Sequence, residues 1–103
     1  MYYQRSGHLD RSAKLLEDAV AARPDDTELR MFRGRYRVAL NQCAGALEDF
    51  LAVQQSHPND AVAWASAGLA EICLGNQSAA NDYIRRSLEL DPNQPKLRQY
   101  LAR

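Results

Sequence analysis

The fold is decided by residues 61–92, which read AVAWASAGLAEICLGNQSAANDYIRRSLELDP. Two apolar-periodic runs, at 61–74 and 77–90, are separated by Gly75 and Asn76 and followed by Pro92. Glycine and asparagine tolerate the left-handed dihedrals of a tight turn, and proline cannot continue a helix. The stretch therefore predicts two helices of similar length joined by a tight turn.

The same pattern recurs along the chain with a fixed period. Pro24, Pro58 and Pro92 are equally spaced, and Gly34 and Gly68 have the same spacing, which we call one repeat period. A period of this length is typical of stacked helical repeats. Because glycine within a helix costs about 1 kcal/mol relative to alanine, the two glycines predict a close approach of helix backbones. The turns between paired helices are expected at Gly7, Asn41–Gln42 and Gly75–Asn76.

The apolar spacing predicts a series of helices. Asp26 and Asp60 each precede one of them and can cap it by accepting bonds from free backbone N–H groups. Pro95 suits the first turn of the last helix, which either caps the last repeat or begins a fourth one. The predicted helices are 1–5, 9–22, 27–40, 43–56, 61–74, 77–90 and 95–102.

These positions resemble the tetratricopeptide-repeat (TPR) family, whose period is about 34 residues, over essentially the whole chain. The last repeat matches the family pattern at Trp64, Gly68, Gly75, Ala80, Ile84 and Pro92. The middle repeat matches at Gly34, Ala46, Phe50 and Pro58, and the first at Gly7, Leu16, Ala19 and Pro24. The departures are Arg30, Arg33 and Arg37 at places where the family prefers large apolar groups, Glu71 in place of tyrosine, and Ser87 in place of alanine.

The resemblance implies an all-α fold of antiparallel helix-turn-helix repeats stacked in a right-handed superhelical solenoid. We expect one domain over 1–103, with a truncated first repeat at 1–26 and full repeats at 27–60 and 61–94. Residues 95–103 form the cap or the partial repeat. Only Met1 to Ser6 precede Gly7, so we expect the first repeat to lack half of its first helix. The surface left at Leu15, Leu16 and Ala19 then predicts self-association of the fragment.

Composition and charge limit the classes of function that the chain can have. The 103 residues are 46% hydrophobic and 25% charged, with a net charge of zero, so neither nucleic acid nor an anionic membrane is attracted in general. The sequence lacks an apolar run long enough for a membrane helix. Catalytic and phosphate-binding motifs are also lacking, so we expect neither an enzyme nor a metal or organic cofactor. Cys43 and Cys73 lack metal-ligand spacing and are predicted to be reduced thiols. The compartment stays open, with the cytoplasm as the default.

The resemblance implies a scaffold that binds a peptide or helix of a partner protein on its concave face. A related subfamily holds a carboxylate with basic and amide side chains, but Phe32, Val62 and Ser66 stand at the corresponding positions here. The residues that line the concave face are mostly apolar, which predicts an amphipathic helix or an apolar peptide as the ligand. The predicted contact residues are Met31, Phe32, Arg35, Val38, Val62, Ala65, Ser66, Leu69, Ile72 and Cys73.

In an alternative interpretation, the binding site is a cluster of arginines. Arg30, Arg33 and Arg37 share one face of helix 27–40. If that face were exposed, it could bind an acidic protein, a phosphate group or nucleic acid. The competing interpretation is a solvated face, with the arginine stems lying over apolar neighbours.

Overall fold

A computed structural model describes residues 14–101 of the chain, and these residues form helices and turns without a strand. Helix α1 covers 14–22 of the described part, followed by α2 (Thr27–Ala39), α3 (Cys43–Ser56), α4 (Ala61–Cys73) and α5 (Gln77–Leu90). The bounds of α2 to α5 agree with the prediction to within one residue. The predicted helix 1–5, the start of helix 9–22 and the Gly7 turn lie outside the described residues.

The ends of the helices follow from local chemistry. Asp26 caps α2 by accepting a bond from Leu29 N at 3.2 Å, and Asp60 caps α4 by accepting from Val62 N at 3.0 Å. The turns within the helix pairs use left-handed backbone at Asn41 (φ 61°) and Gly75 (φ 83°). Each of the three equally spaced prolines follows the end of a helix by two residues. The predicted caps and both described turns are confirmed.

The helices pack as antiparallel pairs, α2 with α3 and α4 with α5, and α3 also packs on α4. We call these pairs repeat 2 and repeat 3. The buried core between them is mostly alanine with a few large side chains, which lets the helices lie close together. Its members are Met31, Ala46, Phe50, Val53, Ala63, Ala67 and Ala70.

Gly34 and Gly68 make room for a large side chain of the partner helix. A Cβ atom at Gly34 would collide with the ring of Phe50, and one at Gly68 would lie 2.7 Å from Ile84 Cγ1. Phe50 and Ile84 are themselves one repeat period apart. The predicted close approach is therefore real, but a side chain rather than a second backbone makes the nearest contact.

The predicted helix 95–102 is wrong. Of the described residues 95–101, only Leu97–Tyr100 are helical, in a short 3₁₀ helix, and residue 102 lies outside the described part of the chain. A run of eight residues is too short to be helical without extensive packing, and this segment is fixed by other contacts. Leu97 is buried, and Gln94 Nε2 donates to Ser87 Oγ at 3.1 Å. Ser87 Oγ in turn donates to Ala61 O at 2.7 Å, which gives a role to the serine that departs from the family pattern.

The prediction of reduced thiols is also wrong. Cys43 and Cys73 form a disulfide bond, with their Cα atoms 6.2 Å apart. Cys43 is the first residue of α3 and Cys73 the last residue of α4. The two cysteines are 30 residues apart in sequence, but the packing of α3 on α4 brings these two helix ends together.

None of the helices within residues 14–101 combines the length and the apolar character needed to cross a bilayer.

Candidate partner-binding groove

Helices α2 and α4 are the first helices of repeats 2 and 3, and the candidate site lies where they face each other. Their equivalent positions differ by one repeat period, so that Glu28 corresponds to Val62 and Arg35 to Leu69. The Asp26 and Asp60 caps fix where each helix begins. They therefore fix the position of these side chains along the helix axis. Repeat geometry thus sets which residues of the two helices meet.

A cavity of about 450 Å³ opens between α2 and α4. Phe32 and Val62 line it and remain 54% and 56% exposed, although both are large apolar side chains. Exposed apolar side chains that line a common cavity are informative, whereas isolated ones are ordinary on protein surfaces. We call this cavity the α2–α4 groove, and its lining residues are Thr27, Glu28, Leu29, Met31, Phe32, Arg35, Asp60 and Val62.

The groove also carries charge at one edge. Arg35 is exposed, and within residues 14–101 neither an ion pair nor a hydrogen bond engages its guanidinium. Glu28 lies two helical turns before it and is likewise unpaired in the described part of the chain. A guanidinium beside an apolar cavity can donate two parallel hydrogen bonds to a carboxylate. The groove therefore offers an apolar contact and a cationic contact next to each other.

The predicted contact residues are divided by the structure into separate places. Met31, Phe32, Arg35 and Val62 come together in the α2–α4 groove, with Met31 buried at its floor. Leu69 lines a different cavity, of about 500 Å³, together with Leu97 and Tyr100. Val38 packs against the core and Cys73 is in the disulfide. The remaining predicted residues, Ala65, Ser66 and Ile72, are half-buried on α4.

The arginine cluster is not a free basic surface. Arg30, Arg33 and Arg37 do lie on one face of α2, but that face is turned towards α3. All three contact Asp49, whose side chain is 0% exposed. Arg33 donates two hydrogen bonds to the Asp49 carboxylate, from Nη2 to Oδ1 at 2.6 Å and from Nε to Oδ2 at 2.9 Å. These three side chains are therefore half-buried, and their guanidinium groups are engaged within the chain.

Glu17 of α1 completes the network. Arg33 and Arg37 each donate to one of its carboxylate oxygens, the latter at 2.8 Å. The bond from Arg37, with Arg33 close by, lowers the pKa of the Glu17 carboxyl below its usual value. The hydrogen bond to Asp49 raises the pKa of Arg33 above its already high value. The network thus favours the charged forms of Glu17 and Arg33 and ties α1, α2 and α3 together.

Sequence reasoning missed Asp49, although a signal was available. Asp49 stands one repeat period before Tyr83, and Arg30 stands one repeat period before Trp64. In repeat 3 the two aromatic rings contact each other, with centroids 5.8 Å apart. In repeat 2 an arginine and an aspartate occupy the same two positions and contact each other. Paired replacement at equivalent positions would have indicated an internal ion pair.

Comparisons with known proteins agree with this architecture. Human "Protein O-mannosyl-transferase TMTC1" (Homo sapiens) is 26% identical over 105 residues, a match that covers 98% of this chain but 12% of that protein. The solved structure of MamA MSR-1 matches with a TM-score of 0.82 and 26% identity, over 96% of this chain and 57% of that one.

A second solved structure, MamA 41-end from Desulfovibrio magneticus RS-1, matches with a TM-score of 0.84 and 23% identity, over 95% of this chain and 55% of that one. At that identity the likeness shows the fold alone. The chain thus spans little more than half the length of these structures and a small part of the human protein. A family model described as tetratricopeptide repeat matches residues 1–61 and 33–95. The chain is an all-α, right-handed superhelical solenoid and belongs to the tetratricopeptide-repeat family.

Proposed function

We propose that this chain binds a short segment of a partner protein in the α2–α4 groove. TPR proteins mediate protein–protein interaction, so the class of partner follows from the family. The observation that carries the choice of site is the pair of exposed apolar side chains, Phe32 and Val62, lining one cavity from facing helices. Burying them against a ligand would contribute roughly 25 cal/mol for each Å² of apolar surface removed from water.

Arg35 supplies the polar part of the proposed recognition. Its guanidinium is unpaired within residues 14–101 and lies at the edge of the same cavity. We therefore expect the bound segment to place a large apolar side chain between Phe32 and Val62 and an acidic group on Arg35. A segment with an apolar anchor and a nearby carboxylate satisfies both contacts at once.

The proposed role is non-catalytic. Within residues 14–101 there is no cluster of histidine, cysteine, aspartate and glutamate side chains that could hold a metal ion. Transferase activity is not proposed from the similarity to TMTC1, because the match covers only 12% of that protein. Self-association through Leu15, Leu16 and Ala19 stays a prediction; Leu15 is exposed and lines a cavity of about 390 Å³ with Phe32 and Tyr36.

The test is a selection of peptides from a displayed random library on the purified chain, followed by affinity measurement. We expect Phe32→Gln and Val62→Gln each to weaken the selected peptides at least about tenfold, which corresponds to about 1.4 kcal/mol. Leu74→Gln is the matched control, because Leu74 is an exposed apolar residue (40%) that does not line the groove. Arg35→Gln should weaken only those peptides that carry an acidic residue. Peptides that bind the two groove variants and the wild type equally would contradict the proposal.

A further inference from the structure

The two sulfur atoms of the Cys43–Cys73 disulfide lie in different surroundings. Cys43 is buried, whereas Cys73 is exposed at the end of α4. A cavity of about 430 Å³ opens beside the bond and is lined by Asn41, Gln42, Cys43, Ala44, Gly45, Cys73 and Leu74. A small thiol approaching through this cavity meets the bond on the side of the exposed cysteine.

The buried cysteine stands at the N-terminus of a helix, a position that favours a thiolate over a thiol. Cys43 is the first residue of α3, a helix of 14 residues, and Gln42 before it makes no capping hydrogen bond with its side chain. The first backbone N–H groups of a helix point outward along its axis and carry partial positive charge. These groups can stabilise negative charge on the Cys43 sulfur, so it is the better leaving group of the pair.

We propose that the Cys43–Cys73 disulfide is a thiol-exchange site, opened by a dithiol reductant that attacks at Cys73. The first thiolate of the reductant bonds to Cys73 Sγ, the bond between the two cysteines breaks, and its electron pair leaves on Cys43 Sγ. The second thiolate of the reductant then attacks the first sulfur of the reductant, which is bonded to Cys73 Sγ, and Cys73 leaves as a thiolate. The dithiol ends as a disulfide, its two electrons reside on the two cysteines, and each cysteine takes up one proton.

Opening this bond has a structural consequence at the junction between the repeats. The disulfide joins the start of α3 to the end of α4, and so holds repeat 2 to repeat 3 at the end of the helices that carries the tight turns. A cross-link that closes a loop of this length restricts the unfolded chain and raises the melting temperature. Reduction should therefore loosen the junction while the core between Phe50 and Ala67 still packs.

The site of attack is tested with reduced glutathione, a monothiol that needs a second molecule to go beyond the mixed disulfide, so that an early acid quench traps this intermediate. The oxidised protein is incubated with glutathione, quenched in acid, alkylated with a maleimide and cleaved after Glu48, which separates the two cysteines. Peptide mass spectrometry should find glutathione mainly on Cys73 and the maleimide mainly on Cys43. Glutathione mainly on Cys43, equal labelling of both, or two free thiols in the protein before glutathione is added, would each overturn the proposal.

The effect on the junction is tested by thermal unfolding with and without dithiothreitol. Reduction should lower the melting temperature by roughly 10–20 °C. The matched control is the double variant Cys43→Ser/Cys73→Ser, which should melt near the reduced wild type and not respond to the reductant. An unchanged melting temperature in wild-type protein whose mass shows the bond to be open would refute the role at the junction.

Discussion

Arg30 of α2 and Trp64 of α4 make the same hydrogen bond one repeat apart. Arg30 Nε donates to Pro24 O at 2.8 Å, and Trp64 Nε1 donates to Pro58 O at 2.8 Å. The two donors are one repeat period apart, and so are the two prolines. An arginine can therefore replace the tryptophan of the family pattern, because both side chains reach the proline carbonyl with an N–H group from a flat, conjugated system.

Arg30, unlike tryptophan, is charged, and Asp49 balances this charge. The first prediction concerns Asp49. Changing Asp49 to Asn keeps the shape but removes the anion that three arginines share. Removing one partner of a buried ion pair leaves uncompensated charge. We expect Asp49→Asn to lower the free energy of unfolding by about 3 kcal/mol or more, measured by chemical denaturation.

The control for this prediction is Glu17→Gln. Glu17 contacts two of the same arginines, but its side chain is 51% exposed, so water replaces the lost contacts. Exposed ion pairs contribute under about 1 kcal/mol. Equal and small effects of the two changes would show that Asp49 is not the centre of the network.

A second prediction concerns how the contribution of Glu17 to stability changes at acidic pH. The pKa of Glu17 is lowered in the folded chain from its ordinary value of 4.5, chiefly by the hydrogen bond from Arg37. The stability that this group contributes is therefore present above pH 4.5 and is lost as the pH falls below that value towards the folded pKa. We expect the small difference in unfolding free energy between wild type and Glu17→Gln to shrink over this range. A difference that is constant from neutral pH down to pH 3, or that grows, would count against the network as described.

A third prediction concerns the glycine under Ile84. A methyl group at Gly68 would lie 2.7 Å from Ile84 Cγ1 and 3.3 Å from Ala80 O, and neither atom is at the end of a flexible side chain. Overpacking a core in this way costs about 1–3 kcal/mol. We expect Gly68→Ala to lower the free energy of unfolding by that amount, despite the better helix propensity of alanine.

Gly45 provides the comparison. The three atoms nearest to a methyl group there all belong to the side chain of Arg37, at 3.2–3.5 Å. We expect Gly45→Ala to change stability by less than about 1 kcal/mol, because the arginine can shift and alanine favours the helix. If Gly45→Ala were the more damaging change, the close contact between Gly68 and Ile84 would not be the reason for the glycine.

The sequence predicted the elements of the fold but not every contact between them. The repeat period, the Asp60 cap and the Gly75 turn can be read from positions along the chain alone, and each was confirmed. The contacts of Cys43 and Asp49 depend on which face of a helix meets its neighbour. A charge pattern along one helix shows that three arginines share a face, but it does not show that a buried carboxylate from another helix lies opposite.

The candidate groove shows the same limit. The family pattern gave positions on α2 and α4, and it placed Phe32 and Val62 on the surface that the structure leaves open. It also gave Leu69, which the structure places beside Leu97 and Tyr100 instead. That neighbourhood depends on how the segment after α5 folds back over the last repeat. The predicted helix there was wrong because Gln94 and Leu97 are fixed by tertiary contacts.

The last prediction separates the floor of the groove from its walls. Met31 and Phe32 are neighbours in sequence and both line the groove, but Met31 is buried in the core and Phe32 is exposed. Met31→Ala should lower the free energy of unfolding by about 2–5 kcal/mol, because it leaves a cavity. Phe32→Gln should change it by less than about 0.5 kcal/mol, as surface changes do. Denaturant unfolding of both variants measures these effects. If Phe32→Gln were as destabilising as Met31→Ala, Phe32 would be a packing residue, and the weaker peptide binding of that variant would reflect unfolding rather than a lost contact in the groove.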